Sequence, residues 1–289
     1  MKRKSQSQQV DTSFAQAARL LLPQRDRAEI FLIGCGGTGS WLAPALARLS
    51  VVSRDCGRDV RLTFIDGDTV EAGNIPRQNF CNAEIGQNKA IALATRYSAA
   101  WGLEIAAVPQ MVKPQHLGIS YSTIAFLIGC VDNAAARKTL AGCLEHNSNQ
   151  EAHRVWWLDC GNSNESGQIL FGSAPTAKHL AGCFKSAKVC TALPSPALVA
   201  PDLLKPRPEE LPDNRMSCAE MMQANLQSLA VNQRVAAEAA DYLMRLLTGQ
   251  PLKRFATFFD LPSGSAKSRA ITPEEIAALI KKPVEYLQR

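Results

Sequence analysis

The chain has 289 residues, 46% of them hydrophobic and 20% charged. This is a folded, globular composition, and it excludes disordered, collagen-like and low-complexity chains. The net charge of +6 is mild and partly local, in Lys2-Arg3-Lys4 and Lys281-Lys282, so nucleic acid is a permitted partner but not a required one. The nine cysteines are odd in number, and several sit in apolar runs, where a thiol acts as a small hydrophobe. No apolar stretch has the length of a signal peptide or a membrane span, so the expectation is a cytoplasmic protein with no membrane association.

Residues 1–29 read as a polar N-terminal extension followed by a helix from Phe14 to Leu22, ending before Pro23. Ile30 to Ile33 is a short apolar run, as expected for a strand buried on both faces. Gly34, Gly36, Gly37 and Gly39 follow in the pattern G-x-G-G-x-G. Ser40 then opens a helical pattern through Trp41, Leu42, Ala45, Leu46 and Leu49, with Pro44 near its first turn. Glycines here let the chain turn tightly and let a phosphate approach the backbone, where the first N–H groups of the helix bind it. The motif fits NAD, FAD and ATP alike.

Further strands are expected over 60–66, 103–112, 122–130, 155–159 and 167–172, with helices over 86–97 and 134–147. Alternating strands and helices predict an α/β fold, a Rossmann-like, mostly parallel sheet with helices on both faces and right-handed crossovers. Residues 173–217 carry seven prolines between Pro175 and Pro212 and little periodicity, and read as a long, mobile crossover loop. A long helix from Ser217 to Leu247 ends at Gly249 and Pro251. A strand over 255–261 follows, then a helix opened by Thr272-Pro273-Glu274-Glu275. The expected organisation is an extension over 1–29, one main domain over 30–262, and a C-terminal tail with a short helix over 263–289.

Asp66 ends the second strand, where a carboxylate accepts hydrogen bonds from ribose hydroxyls, and Asp68 stands beside it. Asn74, Arg77 and Gln78 occupy the following loop, and Lys89 comes eleven residues after Gln78. Two cations and two carboxamides near the glycine turn exceed what a diphosphate bridge needs and suit a triphosphate undergoing attack at its α-phosphorus. Asp132 ends the fourth strand on the same sheet edge. A carboxylate facing phosphates calls for an intervening Mg²⁺, although Asp132 also stands where a helix cap would.

The segments GCGGTGS, DGDTVEAGNIPRQ, IGQNKA and CVDNAAAR together resemble the ThiF/MoeB superfamily, relatives of ubiquitin-activating enzymes. WWLDCGN, GQILFG and SCAEMMQANLQSLAVNQ extend the likeness toward the ThiF-related members of bacterial PRTRC cassettes. The resemblance covers roughly residues 30–260. It implies adenylation of the C-terminal glycine of a small ubiquitin-like or sulfur-carrier-like protein with ATP and Mg²⁺, in a homodimer. By it, Asp66 binds ribose, Asn74, Arg77 and Lys89 contact phosphates, and Asp132 holds the metal. Cys218 is the candidate thiol for a thioester, with Cys183 and Cys190 behind it.

Three features depart from the family pattern. No C-x-x-C pair exists, so no structural zinc is expected. The arginine that reaches a partner's ATP has only Arg19 and Arg25 as candidates. The aspartate that usually stands three positions before the metal ligand is Gly129 here, a change that would tune metal binding or weaken activity. The competing readings are a tRNA-carboxylate-activating enzyme of the same superfamily, a nicotinamide oxidoreductase, and a non-catalytic scaffold.

Overall fold

The computed structural model describes residues 13–148, 150, 152–163, 165–207, 210 and 229–288. The apolar run that begins at Ile30 lies in β2 (Arg27–Ile33), which pairs in parallel with β3 (Asp59–Ile65) on one side and β5 (Ile124–Gly129) on the other. Two more parallel strands extend this unit, β4 (Ile105–Val108) beside β3 and β6 (Val155–Asn162) beside β5. Antiparallel strands then continue the sheet from β6 outward: β7 (Ser166–Gly172), β10 (Arg254–Asp260) and β11 (Ala266–Ala270). The order across all eight strands is β11-β10-β7-β6-β5-β2-β3-β4.

Successive residues of a strand point to opposite faces, so a strand covered on both sides must be apolar throughout. Ile30 and Leu32 enter one core with Phe64, Phe126 and Trp156, while Phe31 and Ile33 enter another with Ile65, Leu127 and Trp157. The first face is covered by α2 (Gly37–Asp55), α3 (Lys89–Trp101) and α6 (Leu229–Thr248), and the second by α4 (Ala134–Cys143). Both central tryptophans are fully buried. No helix among the described residues is long and apolar enough to cross a membrane.

Three expectations change. The helix expected over 14–22 is a single turn, α1 (Ser13–Gln16), followed by the two-residue strand β1 (Arg19–Leu20). β1 pairs in parallel with β9 (Val189–Cys190), which pairs with β8 (Phe184–Ser186). That pairing, about 170 residues away along the chain, outweighs the local helical spacing. Residues 173–207 are not structureless: besides β8 and β9 they contain α5 (Pro196–Val199) and 3₁₀ turns at Ala177–Leu180 and Pro201–Leu204. Leu180, Phe184 and Leu193 tie the segment into the core. Of the expected C-terminal tail, residues 263–288 pack as an integral edge. β11 pairs with β10, and the expected short helix, α7 (Pro273–Ile280), buries Ile276, with Thr272 accepting a hydrogen bond from Glu275 N–H as its N-cap.

Candidate nucleotide site

The carboxyl ends of β2, β3 and β5 and the end of β6 converge on a cleft of about 480 Å³, the usual place for a ligand in an open parallel sheet. The four glycines at its base have different physical duties. Gly34 has φ +87°, and a Cβ on it would lie 2.5 Å from the Cys130 carbonyl oxygen. At Gly39 a Cβ would collide with the Gly34 carbonyl, and at Gly37 it would meet the Asn232 carboxamide at 2.9 Å. Only at Gly36 is the space open, the nearest neighbour being Gln78 Nε2 at 3.9 Å. Packing therefore leaves Gly36 alone of the four with room for a ligand at its backbone, while Gly34, Gly37 and Gly39 are required by packing of the turn against β5 and α6. No side chain caps α2, so its first N–H groups face the cleft with the positive end of the helix dipole.

Asp66 is the clasp of this turn. One carboxylate oxygen accepts the Cys35 N–H at 2.6 Å and the other accepts the Asp68 N–H at 2.8 Å. Burial pushes the Asp66 pKa up, and the two N–H donors and Lys89 only partly oppose it. Asn88 completes the tie by donating to the carbonyls of Asp66 and Asp68 while its oxygen caps α3. Lys89, at the start of α3, is buried, with its Nζ 3.2 Å from Asp68 Oδ2. Asp68 is half exposed, so the ammonium is held at the cleft by a partner that remains in water.

Asn74 and Arg77 stand on the loop wall of the cleft. Asn74 Oδ1 accepts the Glu71 N–H at 3.0 Å, and Trp41 Nε1 donates to the Arg77 carbonyl at 3.1 Å, which fixes this loop to α2. Gln78 is buried beside them, and its Oε1 has no hydrogen-bond partner among the described residues. Asp132 is exposed on the opposite wall. It is not the cap of α4: that place belongs to Asn133, whose Oδ1 accepts the Ala136 N–H at 2.8 Å.

The expected residues Gly34, Gly36, Gly37, Asp66, Asp68, Asn74, Arg77, Gln78, Lys89 and Asp132 thus line one cleft, and Gly39 packs beneath it. Cys218 lies outside the described residues. Cys183 and Cys190, its understudies, are buried and do not line the cleft, so neither thiol reaches a ligand there. Arg19 and Arg25 do not line it either.

Gly129 has a steric reason. A Cβ there would lie 2.8 Å from Leu140 Cδ1 and 3.1 Å from Trp157 Nε1, and Asp159 Oδ1 already occupies that side. An acid at position 129 would point into this packed interior. Asp159 itself is fully buried and paired with Arg137 at 3.0 Å. Burial raises its pKa and Arg137 opposes the rise.

Several lining residues were not singled out as site residues from the sequence, although Thr38, Val131, Arg137, Asn162 and Asn232 lie within the segments that carry the family resemblance. Thr38, Asn162 and Asn232 form a polar floor in which Asn162 Nδ2 donates to Asn232 Oδ1 at 2.5 Å. They are separated by up to 194 residues, so no local pattern links them. Met111, Val112 and Val131 supply an apolar wall near Asp66. Arg137 and Arg207 add cations. Glu210 accepts the Ala134 N–H at 2.8 Å, so the crossover segment reaches the start of α4 at the cleft edge.

The model of the ThiF family matches residues 12–276. Ubiquitin-activating enzyme E1 2 of Arabidopsis thaliana is 28% identical over 141 residues, which is 46% of this chain and 12% of that enzyme. Among solved structures, PaaA superposes with a TM-score of 0.54 at 17% identity, over 86% of this chain and 64% of PaaA. E. coli MccB with ATP superposes with a TM-score of 0.51 at 15% identity, over 86% of this chain and 63% of MccB. The chain thus spans less than two thirds of each of these proteins. With a family match over nearly its whole length and the family's fold around a cleft at the carboxyl rim, the chain belongs to the ThiF family.

Proposed function

We propose that the protein uses ATP to adenylate a carboxylate, and that the carboxylate is the C-terminal glycine of a small ubiquitin-like or sulfur-carrier-like protein. The observation that carries this reading is the convergence of Arg77, Lys89 and Asp132 on the cleft that holds the uncapped start of α2. The Arabidopsis relative is named a ubiquitin-activating enzyme, and MccB has been solved with ATP and with MccA, which fits a nucleotide and a peptide meeting in one site.

In this reading the adenine lies against Met111 and Val112, and Asp66 accepts from the ribose. The N–H groups at the start of α2, with Arg77 and Lys89, hold the phosphates. These cations stabilise the charge that builds on the leaving pyrophosphate as the substrate carboxylate attacks the α-phosphorus. Asp132 suits a Mg²⁺ ion, because it is an exposed carboxylate with no ion pair among the described residues, facing a phosphate site. The bound ion would neutralise phosphate charge during attack. Transfer to Cys218 is the proposed second step: its thiolate attacks the acyl carbon, a thioester forms and AMP leaves. A homodimer, a cytoplasmic location and a role in a PRTRC cassette belong to the same proposal.

ATP–pyrophosphate exchange with a ubiquitin-like protein ending in glycine is the test. Exchange should depend on that protein, and Lys89→Ala and Asp132→Ala should each lower it by about 10²–10³-fold. No exchange in the wild type, or full exchange in Asp132→Ala, would overturn the reading.

A further inference from the structure

A second cavity, of about 560 Å³, opens at the other rim of the sheet. It shares no lining residue with the nucleotide cleft. His153, just before β6, is in its wall, whereas Asn162, the last residue of β6, is in the wall of the cleft. At about 3.3 Å per strand residue the length of β6 separates the two by roughly 25 Å.

Its described charged lining is basic. Lys178, Lys185, His153 and His179 face it, and no described lining residue is acidic. Neither lysine has an ion pair among the described residues, and both are exposed. Glu145, near the edge, already accepts a hydrogen bond from Ser148 at 2.6 Å. His153 is only 5% exposed. Its Nδ1 lies 2.8 Å from Ser173 Oγ, and its other ring nitrogen makes no hydrogen bond among the described residues. Burial, and then the nearby His179 ring at 6.4 Å, hold the His153 pKa down to about 4, so this imidazole is neutral at pH 7. Leu21 and Leu22 form an apolar wall beside the basic groups.

We propose that this cavity is a second binding site, for a small ligand that carries a phosphoryl group. The His153 ring nitrogen that makes no hydrogen bond among the described residues leaves the cavity wall a polar atom for a ligand to engage. Two unpaired ammonium groups favour an anion with several acceptors. Lysine binds phosphate as a compact point charge with three donors, and a phosphoryl group offers several acceptor oxygens to share between two of them. The cavity volume exceeds what a bare phosphoryl group fills, and Leu21 and Leu22 can cover the remainder of the ligand. The site does not depend on the function proposed for the first cleft.

The test uses the full chain without added nucleotide, because His153 and His179 line the second cavity and not the cleft. Inorganic phosphate, pyrophosphate and AMP are titrated in turn while the imidazole signals of all four histidines are followed by NMR. His153 and His179 should shift, and His116 and His146 should not. In Lys178→Ala/Lys185→Ala, whose altered side chains are exposed, binding should weaken roughly tenfold or more. His153→Gln should weaken it too and serves as an independent variant. Tighter binding of AMP than of phosphate would assign a nucleotide body against Leu21 and Leu22, and equal binding would assign the phosphoryl group alone. Silence at His153 and His179 with all three probes, or unaltered binding in the double variant, would overturn the proposal.

Discussion

The parallel half of the sheet and the half beyond β6 are held together in different ways. In the parallel half each element is built from its own residues: an apolar run makes the strand, glycines make the turn, and Asn88 and Asn133 cap the following helices. Beyond β6 in the chain, β7, β10 and α6 are long, but α5 and the separate small sheet of β1, β9 and β8 are built from short elements that exist because distant segments meet. β1 has two residues and pairs with β9 across most of the chain, and α5 has four. Local encoding can be read from a segment alone, whereas long-range encoding appears only once the loop closures are made.

The most damaging change should fall at the seam between these halves. Asp159 on β6 is fully buried against Arg137, and Asp159→Ala leaves a guanidinium without its counter-charge. We expect a loss of about 3–5 kcal/mol, measured by denaturant unfolding. A much smaller loss would mean that water reaches Arg137 and that the seam is softer than drawn.

The next largest effect tests whether the 173–207 segment is structural. Leu193 is fully buried in the main core, so Leu193→Ala should cost about 3 kcal/mol while nucleotide affinity, measured by calorimetry, stays within about twofold. Equal damage to affinity would erase the distinction between the halves.

An effect of similar size, reached only at the acid end, follows pH. The His153 pKa is lowered from 6.5 to about 4 in the folded chain, so the unfolded chain binds the extra proton first as the solution is acidified. This group's contribution is therefore fully present above pH 6.5 and is lost as pH falls from about 6.5 to 4, by up to about 3 kcal/mol. His153→Gln should flatten that part of the stability profile, as followed by thermal melts between pH 7 and 4.5. An unchanged slope would place the titration elsewhere.

Much of the cleft was legible in the sequence because its parts lie at strand ends and helix starts. There a parallel sheet brings carboxyl termini to one rim, so Gly36, Asp66, Lys89 and Asp132 could be placed together from their positions relative to strands. Asn232, Arg207 and Met111 could not, because each arrives from a segment whose path depends on packing. Gly129 shows the same limit in reverse. Read along the chain it is a missing acid, but in the structure Leu140, Trp157 and Asp159 leave no room for one.

The amino-acid sequence by itself determined the parallel unit, the glycine turn and the chemical character of the nucleotide rim, because periodicity, turn residues and charge act over a few positions. Only the tertiary structure decided that residues 19–20 are a strand, that 173–207 is packed, and that His153, Lys178 and Lys185 share a cavity. Those outcomes rest on contacts whose free energy appears when segments far apart along the chain are brought together, and no short window of residues contains it.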